Sequence, residues 1–172
     1  MTYDSHAETY EHSARVGYLM QQLIVDAMAR SGHHDHSKTK DPELEIFNKF
    51  TPLLKTMAYG SEEYSQTLRD MGPALAHHYA ANRHHPEHFG TAGINGMTLV
   101  DLIEMLADWK AATERTQDGS LEESLVIQKK RFGISDQLYR ILVNTAAYYG
   151  YLDLEDADKL RNSIDEPDSS AK

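Results

Sequence analysis

Apolar residues recur every three or four positions between residues 8 and 29. Val16, Leu19, Met20, Leu23, Ile24 and Met28 therefore fall along one stripe of an amphipathic helix. Ser31-Gly32 stops that pattern, and the polar cluster His33-His34-Asp35-His36-Ser37-Lys38 follows at once. Asp41-Pro42 predicts a fresh start, with Asp as N-cap and Pro in the first helical position, and a helix over 42 to 58. Gly60-Ser61-Glu62-Glu63 marks another turn and start. The helix after it carries Leu68, Met71, Leu75 and Tyr79 towards Arg83, with a kink at Pro73. Pro86 turns His85 away from helical geometry, so residues 86 to 97, with Gly90, Gly93 and Gly96, read as a loop.

Thr98 with Asp101 has the form of a capping box and opens a strong helix over 99 to 116, whose Leu99, Leu102, Ile103, Leu106 and Trp109 keep helical spacing. Ser120 with Glu123 starts a helix to about Arg131. Ser135 starts one bearing Leu138, Ile141, Leu142, Ala146 and Tyr149, and a short helix is expected over 154 to 162. No segment alternates like a strand, and no repeat or linker interrupts the chain. The expected fold is all-α, one domain over 1 to 163, with a polar, disordered tail over 164 to 172.

Composition narrows the function classes. A chain of 172 residues, 40 % hydrophobic and 26 % charged, has the balance of an ordinary globular domain. Without cysteine there is neither a disulfide framework nor a thiolate metal site, so any metal must be held by nitrogen and oxygen. The acidic residues number 27 against 17 basic, a net charge of −10 that repels duplex nucleic acid and anionic membrane. No apolar run is long enough to span a bilayer, and residues 1 to 10 lack the pattern of a secretory signal, so a cytoplasmic protein is expected. A phosphate ester would have to be drawn in locally, by divalent cations and a few placed Lys or Arg.

The ten histidines are the outlier. His34 and Asp35 are neighbours whose side chains on a helix would diverge by ~100°, so both ligate one ion only at a helix end or in a cleft. Such an ion needs ligands from elsewhere, and His12 one helix earlier and Asp108 further on are the candidates. Imidazole and carboxylate together suit Mn, Fe, Co, Ni, Zn or Mg. In the second cluster His77 and His84, or His78 and His85, share a helix face but lie ~10 Å apart along it, too far to chelate one ion unless the helix bends or ends.

The order of these motifs resembles the HD superfamily of metal-dependent phosphohydrolases. His34 to Lys38 looks like the HDxGK form of HD-GYP phosphodiesterases, with Ser37 in place of glycine, and His12 to Val16 looks like their HSxRV. A closer resemblance is to short HD-like proteins, known as a domain of unknown function, that show HDxSK, HHxxxNxHH and a DW pair. Here those are His34 to Lys38, His77-His78 with Asn82 and His84-His85, and Asp108-Trp109.

The resemblance implies a compact HD-type helical bundle that hydrolyses a phosphomonoester or phosphoanhydride of a small nucleotide. The alternatives are a phosphodiesterase of cyclic or short oligonucleotides, or a non-catalytic, metal-stabilised helical module. It implies that His12, His34, Asp35 and Asp108 hold a first divalent ion, that His78 with His84 or His85 completes a second, and that Lys38 stabilises the phosphate beside Asp35. Arg15, Asn82, Arg83 and Lys110 are the expected phosphate or base contacts. A homodimer is implied by the same likeness.

Blander roles are expected elsewhere. His6, His36 and His88 read as solvent-facing, and Glu104, four before Asp108, as a solvated acid. Trp109 reads as core, and Tyr148, Tyr149 and Tyr151 as buried or interface residues.

Overall fold

The computed structural model describes residues 5–58, 60–115 and 119–165. In chain order the helices are α1 (His6–Ser31), α2 (Leu44–Leu54), α3 (Glu62–Asp70), α4 (Gly72–Ala81), α5 (Leu99–Thr113), α6 (Leu121–Phe132), α7 (Asp136–Tyr148) and α8 (Leu154–Asp165). A 3-10 turn, His36–Thr39, precedes α2, and a 3-10 run, Pro86–Gly96, precedes α5. No strand occurs among the described residues, so the all-α expectation holds. None of the described helices is long and apolar enough to cross a membrane.

The chain divides into two units, Met1–His34 and Asp35–Lys172, and the division falls between the neighbouring histidine and aspartate. The first unit is α1, which extends the expected helix by two residues at each end and buries none of its side chains. Its last turn closes through Ser31 Oγ, which donates to the Met28 carbonyl at 2.8 Å.

The second unit carries the core. Met105, Leu106 and Trp109 of α5 pack with Leu121 and Leu125 of α6, Tyr139, Leu142, Val143 and Ala146 of α7, and Ala157 and Leu160 of α8. The helices that supply it begin where serine and threonine say they should. Thr98 and Asp101 form a full capping box, and Ser120 and Ser135 each accept a backbone N–H from the residue three positions on. α6 ends at Gly133, whose φ of 59° lies in the left-handed region that glycine adopts without steric cost.

Several boundaries depart from the periodic reading. The helix expected to run on to Arg83 breaks in two, because Gly72 takes a φ of 48° at the start of α4; Pro73 then sits in the first turn of α4, where its missing N–H costs nothing. Residues 86 to 96 are 3-10 rather than loop, interrupted at Gly90 and Gly93. α2 is shorter than expected and starts at Leu44 with Glu43 as N-cap, not at Pro42 with Asp41; the Glu43 side chain makes no cap hydrogen bond. α5 ends at Thr113, α7 stops at Tyr148, and α8 continues through Asp165, two residues into the expected tail. The remainder of that tail, 166–172, lies outside the described residues.

Candidate metal centre

Asp35 opens the second unit in a left-handed backbone conformation, φ 57° and ψ 16°. This is a region that aspartate and asparagine enter more readily than other side chains. The 3-10 turn that follows brings Lys38 back over it, so that Lys38 Nζ donates to Asp35 Oδ2 at 2.5 Å, with the ammonium 5.0 Å above the Phe47 ring. The other oxygen, Oδ1, faces the histidines. It lies 3.4 Å from His78 Nε2 and 3.5 Å from His84 Nε2.

The histidines meet because α4 stops between them. Asn82 leaves helical geometry at φ −119° and ψ 109°, and its amide donates to the His78 carbonyl at 2.8 Å. The chain then folds back, so that His78 Nε2 and His85 Nε2 come within 2.8 Å and the His84 and His85 rings lie 4.1 Å apart. The condition set by the sequence, that the helix must end before these side chains can share an ion, is met. One donor atom from each of Asp35, His78, His84 and His85 falls within 4.8 Å of the others, and the same holds for Asp35, His84 and Asp108. His84 Nε2 is 3.9 Å from Asp108 Oδ2. Nitrogen and carboxylate donors converging at this spacing fit a divalent cation of the borderline or hard kind, and neither thiolate nor thioether takes part.

α5 ties this cluster to the core. One stripe of the helix, Met105, Leu106 and Trp109, is buried. An adjacent stripe at three- and four-residue spacing is acidic, and each acid meets the segment after α4. Asp101, fully buried, takes a two-pronged contact from Arg83, at 3.1 Å from Nε and 3.0 Å from Nη2. Glu104 Oε1 lies 3.1 Å from His84 Nδ1, and Asp108 reaches the opposite nitrogen of the same ring. Glu104 is therefore no solvated bystander; its side chain is only 16 % exposed.

Behind His78 stands Glu43, a carboxylate with no exposed surface. Its Oε1 is 2.7 Å from His77 Nδ1, and its Oε2 is 2.9 Å from His78 Nδ1 and accepts from Ser37 Oγ at 3.0 Å. Three such partners account for burial of a charge that would otherwise be prohibitively costly.

Of the expected contacts, Asn82 is committed to Ser37 Oγ and the His78 carbonyl, Arg83 to Asp101, and Lys110 to Glu114 at 3.3 Å. Arg15 belongs to the first unit, where it lies 5.1 Å from the Tyr18 ring centre. His12, on α1, is exposed, and His34 closes that unit. His6 and His36 are exposed as expected, whereas His88 is half-buried with Nδ1 3.3 Å from the Tyr79 carbonyl. Trp109 is core; Tyr148 and Tyr149 are exposed, which leaves only Tyr151 partly buried against the core.

Burial sets the protonation of the cluster. His78 is pushed below its usual value by desolvation first and the Lys38 charge second. His85 falls to about 2, through desolvation and then the neighbouring His84 and His78. Both are held neutral, which is the form in which imidazole binds a metal. The unfolded chain takes up a proton at His85 below pH 6.5 and the folded one does not until far lower pH; His78 is shifted in the same direction. Stability of the metal-free protein is therefore fully present above pH 6.5 and declines as pH falls through it. The decline is about 1.4 kcal/mol per pH unit for each histidine kept neutral. Urea unfolding at about pH 7.5 and about pH 5.5 measures this, and equal midpoints would contradict it.

A family model described as a family of unknown function (DUF5662) matches residues 1–148. The chain belongs to that family. Family membership covers α1, the whole histidine and acid cluster and the core helices through α7, so the site lies inside the shared region. Comparison with curated proteins and with solved structures finds no match.

Proposed function

We propose that this chain is a metal-dependent phosphohydrolase acting on a small nucleotide by phosphomonoester or phosphoanhydride hydrolysis. In this reading Asp35 and Asp108 belong to a first divalent site, for which the HD-like order of motifs also names His12 and His34, and His78, His84 and His85 serve a second. The observation that carries the reading is the approach of both buried Nε2 atoms to one oxygen of Asp35, at 3.4 and 3.5 Å. The order of motifs that resembles HD phosphohydrolases supports it from the sequence. A divalent ion bound there supplies Lewis acidity towards a phosphoryl oxygen and a water acidic enough to attack as hydroxide near neutral pH.

The chain's own groups do the rest. Asp35 divides its oxygens, giving one to Lys38 and the other to the imidazoles, so the Lys38 ammonium stands beside the ligands, ready to receive an anionic phosphate. The net charge of −10 favours a small substrate over a polymeric one.

The experiment is a panel of nucleoside mono- and triphosphates with Mn, Co or Mg, read by release of phosphate or pyrophosphate. Turnover of a panel member supports the reading; none, with metal demonstrably bound, removes it. Hydrolysis confined to cyclic or short oligonucleotides moves it to a phosphodiesterase. A second reading, a metal that only staples helices, is favoured by the depth of His78 and His84, 2 % and 1 % exposed. It predicts that chelation lowers the melting temperature steeply and that no substrate is turned over.

A further inference from the structure

Two of the cluster's imidazoles are held from behind by carboxylates of other elements, and the hydrogen bonds around one of them fix where its proton sits. The amide of Asn82 has two protons, and both are committed, one to Ser37 Oγ and one to the His78 carbonyl, each at 2.8 Å. The carbonyl contact also settles which end of that amide points inward, since an amide oxygen would be repelled there. Ser37 in turn donates its hydroxyl proton to Glu43 Oε2 at 3.0 Å. Asn82 Nδ2 and Ser37 Oγ also lie near His78 Nδ1, at 3.0 and 3.4 Å, but with their protons directed to shorter contacts the acceptor left for Nδ1 is Glu43 Oε2, at 2.9 Å, so Nδ1 carries the proton. Nε2 is then a bare lone pair. It faces Asp35 Oδ1 and His85 Nε2, at 3.4 and 2.8 Å.

His84 meets a carboxylate at the same ring position from the other side, here as an ion-pair contact rather than a hydrogen bond. Glu104 Oε1 stands 3.1 Å from Nδ1, and Nε2 faces Asp35 Oδ1 at 3.5 Å. A histidine serving only as packing needs no carboxylate on its outer nitrogen and no second carboxylate facing its inner one.

We propose that Glu43, through its hydrogen bond, and Glu104, through its charge 3.1 Å from the ring, are positioning residues that favour the Nδ1 protons of His78 and His84 and so aim both Nε2 lone pairs at Asp35. A carboxylate behind a metal-binding imidazole fixes ring orientation and tautomer and raises the basicity of the ligating nitrogen. Glu43 also links His77 to the same clamp, through 2.7 Å from its Nδ1, although His77 takes no place among the converging donors. The role of this clamp in metal binding rests on the functional reading above; the tautomers it imposes do not.

Long-range proton–nitrogen NMR of the histidine rings in metal-free protein at about pH 8 tests the clamp directly, with signals assigned by their loss in His78→Gln and His84→Gln. The expected result is Nδ1 protonated and Nε2 unprotonated at both residues. A proton on Nε2 of either ring overturns the inference for that residue. Glu43→Gln and Glu104→Gln, which keep the shape, are expected to weaken Co or Mn binding by about 10- to 100-fold in competition titrations. The visible spectrum of the cobalt-loaded protein should change with them. Affinity and spectrum equal to wild type in a folded variant overturn the inference, and should Glu43→Gln fail to fold, the wild-type tautomers still decide. Wild-type protein that shows the expected tautomers yet binds no divalent ion supports the clamp and removes the metal reading instead.

Discussion

Asp35→Asn is expected to abolish turnover and to weaken divalent-metal binding by more than the roughly 100-fold upper range seen for outer-shell partners. Asparagine is the informative replacement. It tolerates the left-handed backbone at φ 57°, where alanine would add strain unrelated to chemistry. It also preserves size and leaves an oxygen near the imidazoles, so what disappears is the negative charge facing two Nε2 atoms and the partner of Lys38. The lysine is 30 % exposed and can turn to water, so the metal-free variant should melt close to wild type. Isothermal titration with Mn or Co, beside far-UV circular dichroism, measures both halves. An asparagine variant that binds metal as tightly as wild type would remove Asp35 from the ligand set, and with it the functional proposal.

Leu125→Ala should act on the opposite property, costing about 3 kcal/mol of stability while leaving metal affinity unchanged. Leu125 has no exposed surface and sits among the buried residues of α5, α7 and α8, away from the acidic stripe of α5. Packing there is held on several sides, so the void left by truncation closes only in part. For a chain of this size the melting temperature should fall by roughly 10 °C. A fall of a degree or two would mean that the helices collapse onto the gap.

Much of the second unit's architecture was legible because it is local. Serine and threonine caps at residues 98, 120 and 135 place α5, α6 and α7 within a residue of where they begin, since a cap bond spans only three positions. Ends were harder. Gly72 breaks a helix whose apolar spacing runs straight through it, because periodicity records which residues face inward and not where a positive φ interrupts them.

For the site, the sequence named Asp35, Asp108, His78, His84 and His85, which the fold brings together. It missed Glu43, whose position after Asp41-Pro42 reads as an ordinary helix start. Only tertiary burial against residues 34 and 35 positions further on makes it more than that. Glu104 was misread for a different reason. Its spacing from Asp101 and Asp108 already marked a single acidic stripe, but an acidic stripe beside an apolar one is usually solvent-facing, and the histidine that covers it comes from a distant turn.

The reversal of the chain after α4 makes the number of residues in that connection a fixed quantity. His78 leaves a helix and His85 arrives from a turn, and their ring nitrogens meet across a stretch with Asn82 pinned at its start and Pro86 buried at its end. One residue inserted or deleted between Ala81 and His84 would rotate the arriving imidazoles away from Asp35, with no slack on either side to absorb it. Length variation in this chain is therefore not expected between its paired histidines.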